Sequence, residues 1–120
     1  MNDHEIAGLL AREAGELLLE LREQGFDKGV SGYQLEVIAD REAHLHISKR
    51  LSELRPNDSL LSEEGRDDKA RLEAERVWIV DPLDGTRDFG RIGSVEWAVH
   101  VALVTGGQPL AGAVNLPAIG

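Results

Sequence analysis

The stretch Val77-Trp78-Ile79-Val80-Asp81-Pro82-Leu83-Asp84-Gly85-Thr86 constrains this chain more than any other. Its run of bulky apolar residues reads as a buried strand. Asp81 delivers a carboxylate at the strand's end. Pro82 fixes φ and predicts a turn that brings Asp84 back towards Asp81. Gly85 allows a close backbone approach, and Thr86 is placed to cap a following helix with its hydroxyl. Two acids held across a turn, followed by backbone N–H groups, suit the holding of divalent cations beside a phosphate. The competing reading of Asp81 and Asp84 is a turn or helix cap. A buried approach to two carboxylates is costly without a cation, which favours the metal reading.

The remaining chain supplies a scaffold. Ile6, Leu9, Leu10, Ala14, Leu17, Leu18 and Leu21 recur at three- and four-residue spacing, so residues 3–24 are expected to form an amphipathic helix. Asn2 and Glu5 suggest a capping box at its start, and Gly25 a stop. Residues 26–34 read as a loop. A second helix is expected from near Asp40 to Leu54, with Ala43, Ile47, Leu51 and Leu54 as its stripe. Residues 58–62 suggest a short strand, and the charged residues 66–75 a solvated helical turn or two. Beyond the acidic stretch, residues 87–94 read as a loop. Val95, Trp97, Val99, Val101 and Leu103 alternate on one face of a strand, Gly106-Gly107 marks a hairpin, and Leu110 to Leu116 returns. Two leading helices followed by several strands predict an α+β layer arrangement.

The 120 residues suffice for one domain with a real core. Lys and Arg total 13 against 22 Asp and Glu, a net charge of −9. That argues against a polymeric nucleic-acid partner, which needs clustered positive charge. An acidic chain still accepts a phosphorylated small molecule when cations intervene. The absence of cysteine excludes disulfides and thiolate metal sites and fits a reducing, cytoplasmic setting. No apolar run approaches the about 18 residues of a membrane span, and the first residues lack the pattern of a signal peptide.

Further acids stand at the expected element boundaries. Glu63-Glu64 follow the short strand, where they form either a solvated acidic turn or part of a cation site. Asp40 is either the N-cap of the second helix or a carboxylate that orients the Thr86 hydroxyl towards a reacting water. His44 and His46, two residues apart, point to different sides of a helix. His100 reads as a sheet residue and Trp97 as core.

Leu61-Ser62-Glu63-Glu64 together with Trp78 to Thr86 resemble the inositol monophosphatase superfamily, whose members are Mg²⁺-dependent, lithium-sensitive phosphomonoesterases. Ser-Glu-Glu, Asp84-Gly85-Thr86-Arg87-Asp88-Phe89 and Trp97 to Leu103 resemble its bacterial 3′(2′),5′-bisphosphate nucleotidase branch. The resemblance implies residues 1–120 as the N-terminal half of the layered sugar-phosphatase fold, two helices packed on a mostly antiparallel sheet. It implies two or three Mg²⁺ ions held by Glu63, Asp81, Asp84 and the Leu83 carbonyl, with Glu64 in support. Asp84, Gly85 and Thr86 would face the phosphate, and Asp40 and Thr86 would activate the attacking water. The implied substrate is adenosine 3′,5′-bisphosphate, cleaved to AMP and phosphate in sulfate assimilation; an inositol or sugar-phosphate monophosphatase is the alternative. Members are often homodimers. Two departures stand out: the family's Lys-x-Asp before Asp40 lacks its Asp here, with Ile38 in place of a Thr, and the Trp-Asp motif of the second half is absent. The chain is therefore expected to be a piece of a longer protein, carrying part of a site or serving as an inactive or partner-binding half.

Overall fold

The computed structural model describes residues 1–62, 76–91 and 93–119. The expected helical turns at 66–75 lie outside these. Helix α1 spans Asp3–Asp27, helix α2 Gly32–Leu54, strand β1 Ser59–Ser62, strand β2 Arg76–Asp84, a short helix α3 Thr86–Phe89, strand β3 Ala98–Thr105 and strand β4 Gln108–Asn115.

Helix α1 begins where the Asn2 side chain accepts from Glu5 N at 2.8 Å, satisfying one of the backbone donors that a helix start leaves free. Ile6, Leu10, Ala14 and Leu18 form its buried stripe. Gly25 is not the stop. It lies inside the helix and packs on α2, where an added Cβ would stand 2.7 Å from a Leu35 methyl. The helix ends at Lys28 and Gly29, with Gly29 at φ 71°. Val30 N bonds Gly25 O at 2.9 Å and Gly29 N bonds Phe26 O at 3.1 Å, the paired bonds of a Schellman ending.

Helix α2 starts well before Asp40. Ser31 Oγ accepts from Gln34 N at 3.2 Å, and the buried stripe reads Leu35, Ala39, Ala43, Ile47, Leu51. Leu35 and Ala39 extend the expected stripe back by two turns, so the loop between the helices shrinks and Asp40 sits in the helix interior. It is not an N-cap.

The four strands form one sheet in the order β1-β2-β3-β4. β1 runs parallel to β2, and the other two pairings are antiparallel. The β3–β4 hairpin turns on Gly106 and Gly107, at φ 55° and 77°, as a two-residue turn of this hand requires. Trp78 and Val80 of β2 face Leu103 and Val101 of β3, and Leu103 and Val101 in turn face Ala111 and Ala113 of β4. This face is buried. It meets α1, which packs on β3 and β4, and α2, which packs on β2. The fold is thus two long helices on one side of a mixed, mostly antiparallel sheet. Val95 departs from the expected alternation: β3 begins at Ala98, and Val95 is 43% exposed.

Two polar ties lock the elements together, one between sheet and helix and one between the helices. Arg76 Nη2 lies 2.7 Å from Asp3 of α1 and its Nε 3.0 Å from Asp58, while Trp78 Nε1 donates to the other Asp58 oxygen at 2.9 Å. Glu13 of α1 accepts from Arg50 at 3.0 Å and pairs with His46 Nε2 at 2.9 Å on α2. His46, left without a role by the sequence, therefore holds the two helices together.

Candidate metal and phosphate site

Strand β2 carries both acids of the central motif, and the expected turn at Pro82 does not form. The strand continues through Pro82 and Leu83 to Asp84, and its register against β3 shifts on the way. Asp81 pairs with His100 and Asp84 with Ala98. Three steps along β2 thus match two along β3, which is a β-bulge. The missing N–H of Pro82 accounts for the irregularity, because proline cannot donate to a sheet ladder. The consequence is geometric. Side chains alternate along a strand, so residues three apart normally point to opposite faces. The extra residue restores Asp84 to the face of Asp81, since their partners, Ala98 and His100, share one face of β3. The sequence predicts a turn that brings the acids together; in the structure a bulge, and not a turn, sets them on one face.

That face is the one turned away from the helices. Asp81 Oδ1 is buried, whereas the Asp84 side chain is 59% exposed. Pro82 and Leu83 between them are buried. His100 Nε2 lies 3.2 Å from Asp84 Oδ2. Asp84 and His100 open together on a cavity of about 360 Å³, walled also by Val95, Trp97, Val114 and Leu116. Small-molecule sites fall in this size range.

Gly85 follows at φ 81° and lies against the Glu96 carbonyl. Its own carbonyl accepts from Phe89 N at 3.0 Å. Gly85 therefore occupies the cap position expected of Thr86, and Thr86 is the first residue of α3. Below α3, Phe89 and Trp97 meet edge to face at 4.9 Å and 86°. Arg22 of α1 lies over both rings and over Phe26, and its Nε donates to Phe89 O at 2.9 Å. Burial lowers the Arg22 pKa, since desolvation disfavours its charge.

The remaining candidates are placed less closely. Asp40 lies on α2, with Oδ1 buried, and α2 packs against both β2 and α3. Glu63 and Glu64 lie outside the described residues. Among the described residues, no set of three or more His, Asp or Glu side chains gathers as a metal cluster. Those present fit a hard cation in kind. Asp81 and Asp84 bring carboxylate oxygens to one face, one of them buried, and such donors suit Mg²⁺ better than a soft metal. Sequence reasoning missed two groups, His100 and Arg22. The single-residue alternation that put His100 opposite the Trp97 face was its only available signal.

The fold and the paired acids define a class before any individual likeness does. The chain belongs to the inositol monophosphatase family, whose model matches residues 3–120. It is 50% identical over 111 residues to a protein of Mycobacterium leprae named 3′-phosphoadenosine 5′-phosphate phosphatase, covering 89% of this chain and 40% of that protein. It is 33% identical over 114 residues to the 3′(2′),5′-bisphosphate nucleotidase CysQ of Salmonella typhimurium, covering 92% of this chain and 46% of that one. The crystal structure of CysQ from Bacteroides thetaiotaomicron superposes with a TM-score of 0.80 at 35% identity, over 96% of this chain and 42% of that one. The chain thus spans less than half the length of these relatives. No helix among the described residues is long and apolar enough to cross a membrane.

Proposed function

We propose that this chain supplies the metal- and phosphate-binding part of a Mg²⁺-dependent phosphomonoesterase acting on adenosine 3′,5′-bisphosphate. The observation that carries the reading is the bulge that brings Asp81 and Asp84 to one face, and the named relative at 50% identity supports the choice of substrate. Asp81, Asp84, the Leu83 carbonyl and Glu63 would hold the cations, with Glu64 in support. Bound cations would neutralise phosphate charge and acidify water. Gly85 and Thr86 would offer backbone N–H groups to the phosphate, and Asp84 would face it. Asp40 and Thr86 would orient the attacking water and take its proton. The water oxygen bonds to the 3′-phosphorus, the bond from phosphorus to O3′ breaks, and O3′ gains a proton, leaving AMP and inorganic phosphate. The net charge of −9 supports a small substrate over a polymer, and the lack of cysteine is compatible with the cytoplasm.

The test is phosphate release by the full-length gene product with Mg²⁺. Adenosine 3′,5′-bisphosphate is expected to be cleaved in preference to inositol 1-phosphate, with inhibition by lithium. Preference for the inositol ester would move the assignment to a sugar-phosphate monophosphatase, and release from neither would overturn it.

A further inference from the structure

We propose that His100 is a positioning residue for the metal site, fixing the Asp84 carboxylate from the neighbouring strand. The inference rests on the reading of Asp84 as a cation ligand.

An ionised carboxylate only accepts hydrogen bonds. The contact of 3.2 Å between His100 Nε2 and Asp84 Oδ2 therefore assigns the proton to Nε2 and makes the imidazole the donor. The backbone makes this contact possible. His100 stands directly opposite Asp81, and the bulge advances Asp84 to the next position on the same face. Without the extra residue Asp84 would point to the helix side, out of reach of His100. Asp84 needs such a restraint. It is the last residue of β2, more than half exposed, and the glycine behind it contributes no side chain. The imidazole engages Oδ2 and leaves Oδ1 to a cation. Outer groups that hydrogen-bond a ligating carboxylate set its orientation and typically contribute about 10–100-fold to metal affinity.

The opposite role is a lock, in which the imidazole competes with the cation for Asp84. The two roles differ in sign. Mn²⁺ affinity, followed by the electron paramagnetic resonance of the free ion, is compared in full-length wild type, His100→Ala and His100→Gln. Positioning predicts about tenfold weaker binding in His100→Ala and recovery to within about threefold in His100→Gln, whose amide can donate from the Nε2 position. Ring ¹⁵N spectra of the wild type should show a protonated Nε2 that shifts on adding Mg²⁺, a signature that survives even if the alanine variant fails to fold. Unchanged or tighter Mn²⁺ binding in His100→Ala overturns the inference and leaves the phosphatase reading standing. A wild type that binds no Mn²⁺ overturns both.

Discussion

Gly85 and Glu96 meet backbone to backbone: a Cβ on Gly85 would stand 2.6 Å from the Glu96 carbonyl oxygen. With φ at 81°, Gly85 is doubly required, since the left-handed region strains any other residue and the carbonyl cannot move without disturbing Trp97. Gly85→Ala is expected to destabilise the fold by about 1–3 kcal/mol. It should also lower phosphatase activity by more than the folded fraction accounts for, because the shift falls on Asp84 and Thr86. Urea melts alongside activity of the soluble fraction check this; a variant of wild-type stability would contradict it.

Asp58, in the turn between α2 and β1, is tied twice to β2. Its carboxylate accepts from Arg76 and from Trp78 Nε1, and Trp78 is fully buried. Asp58→Ala leaves the indole N–H without an acceptor, at a cost of about 1–3 kcal/mol. Asp58→Asn, which keeps an acceptor oxygen, should lose less. Chemical denaturation of the two variants would order them, and the reverse order would refute the assignment.

Among the described residues, the ion-paired acids Asp3 and Glu13 contribute a stabilisation that is sensitive to low pH. Hydrogen bonds from Arg76, working against burial, hold the Asp3 carboxyl below its ordinary value, with Arg55 adding to the effect. Burial pushes Glu13 up, but hydrogen bonds from His46 and Arg50 outweigh it, so its pKa also falls below the ordinary carboxylate value. A folded pKa below the unfolded one means that the unfolded chain binds protons first as pH drops. The stabilisation is therefore complete above about pH 5, and is lost as pH falls through the carboxylate range and below. Melting temperatures between pH 7 and 3 should drop in that lower window. Asp3→Asn combined with Glu13→Gln should flatten the drop, and an unchanged slope in the double variant would count against both ties.

Much of this was legible in the sequence, for identifiable reasons. The α1 stripe is strongly periodic and opens on an asparagine cap, so its helix and start could be read directly. Leu35 and Ala39 continue the four-residue spacing of the α2 stripe, but exposed Val37 and Ile38 blur it, and Gly29, Ser31 and Gly32 read as turn chemistry where Ser31 is the helix cap. Asp81 and Asp84 stand out in the sequence as paired acids, but local preference points to a turn at Pro82 where the structure has a bulge. A proline between two acids predicts a turn from local preference alone, while the register of β3, set more than ten residues away, keeps the strand going and absorbs the proline as a bulge. The contact of His100 with Asp84 is hidden for the same reason, since it depends on that bulge.

On the proposed function, Asp81 and Asp84, brought to one face by the bulge, hold the cation that phosphate release requires. The most direct measurement is the rate of phosphate release from adenosine 3′,5′-bisphosphate against Mg²⁺ concentration, for full-length wild type, Asp81→Asn and Asp84→Asn. Wild-type turnover should vanish on chelation, with each variant at least about a hundredfold slower and unrescued or only partly rescued by excess Mg²⁺. Turnover in Asp84→Asn close to wild type, with the same Mg²⁺ dependence, would contradict it.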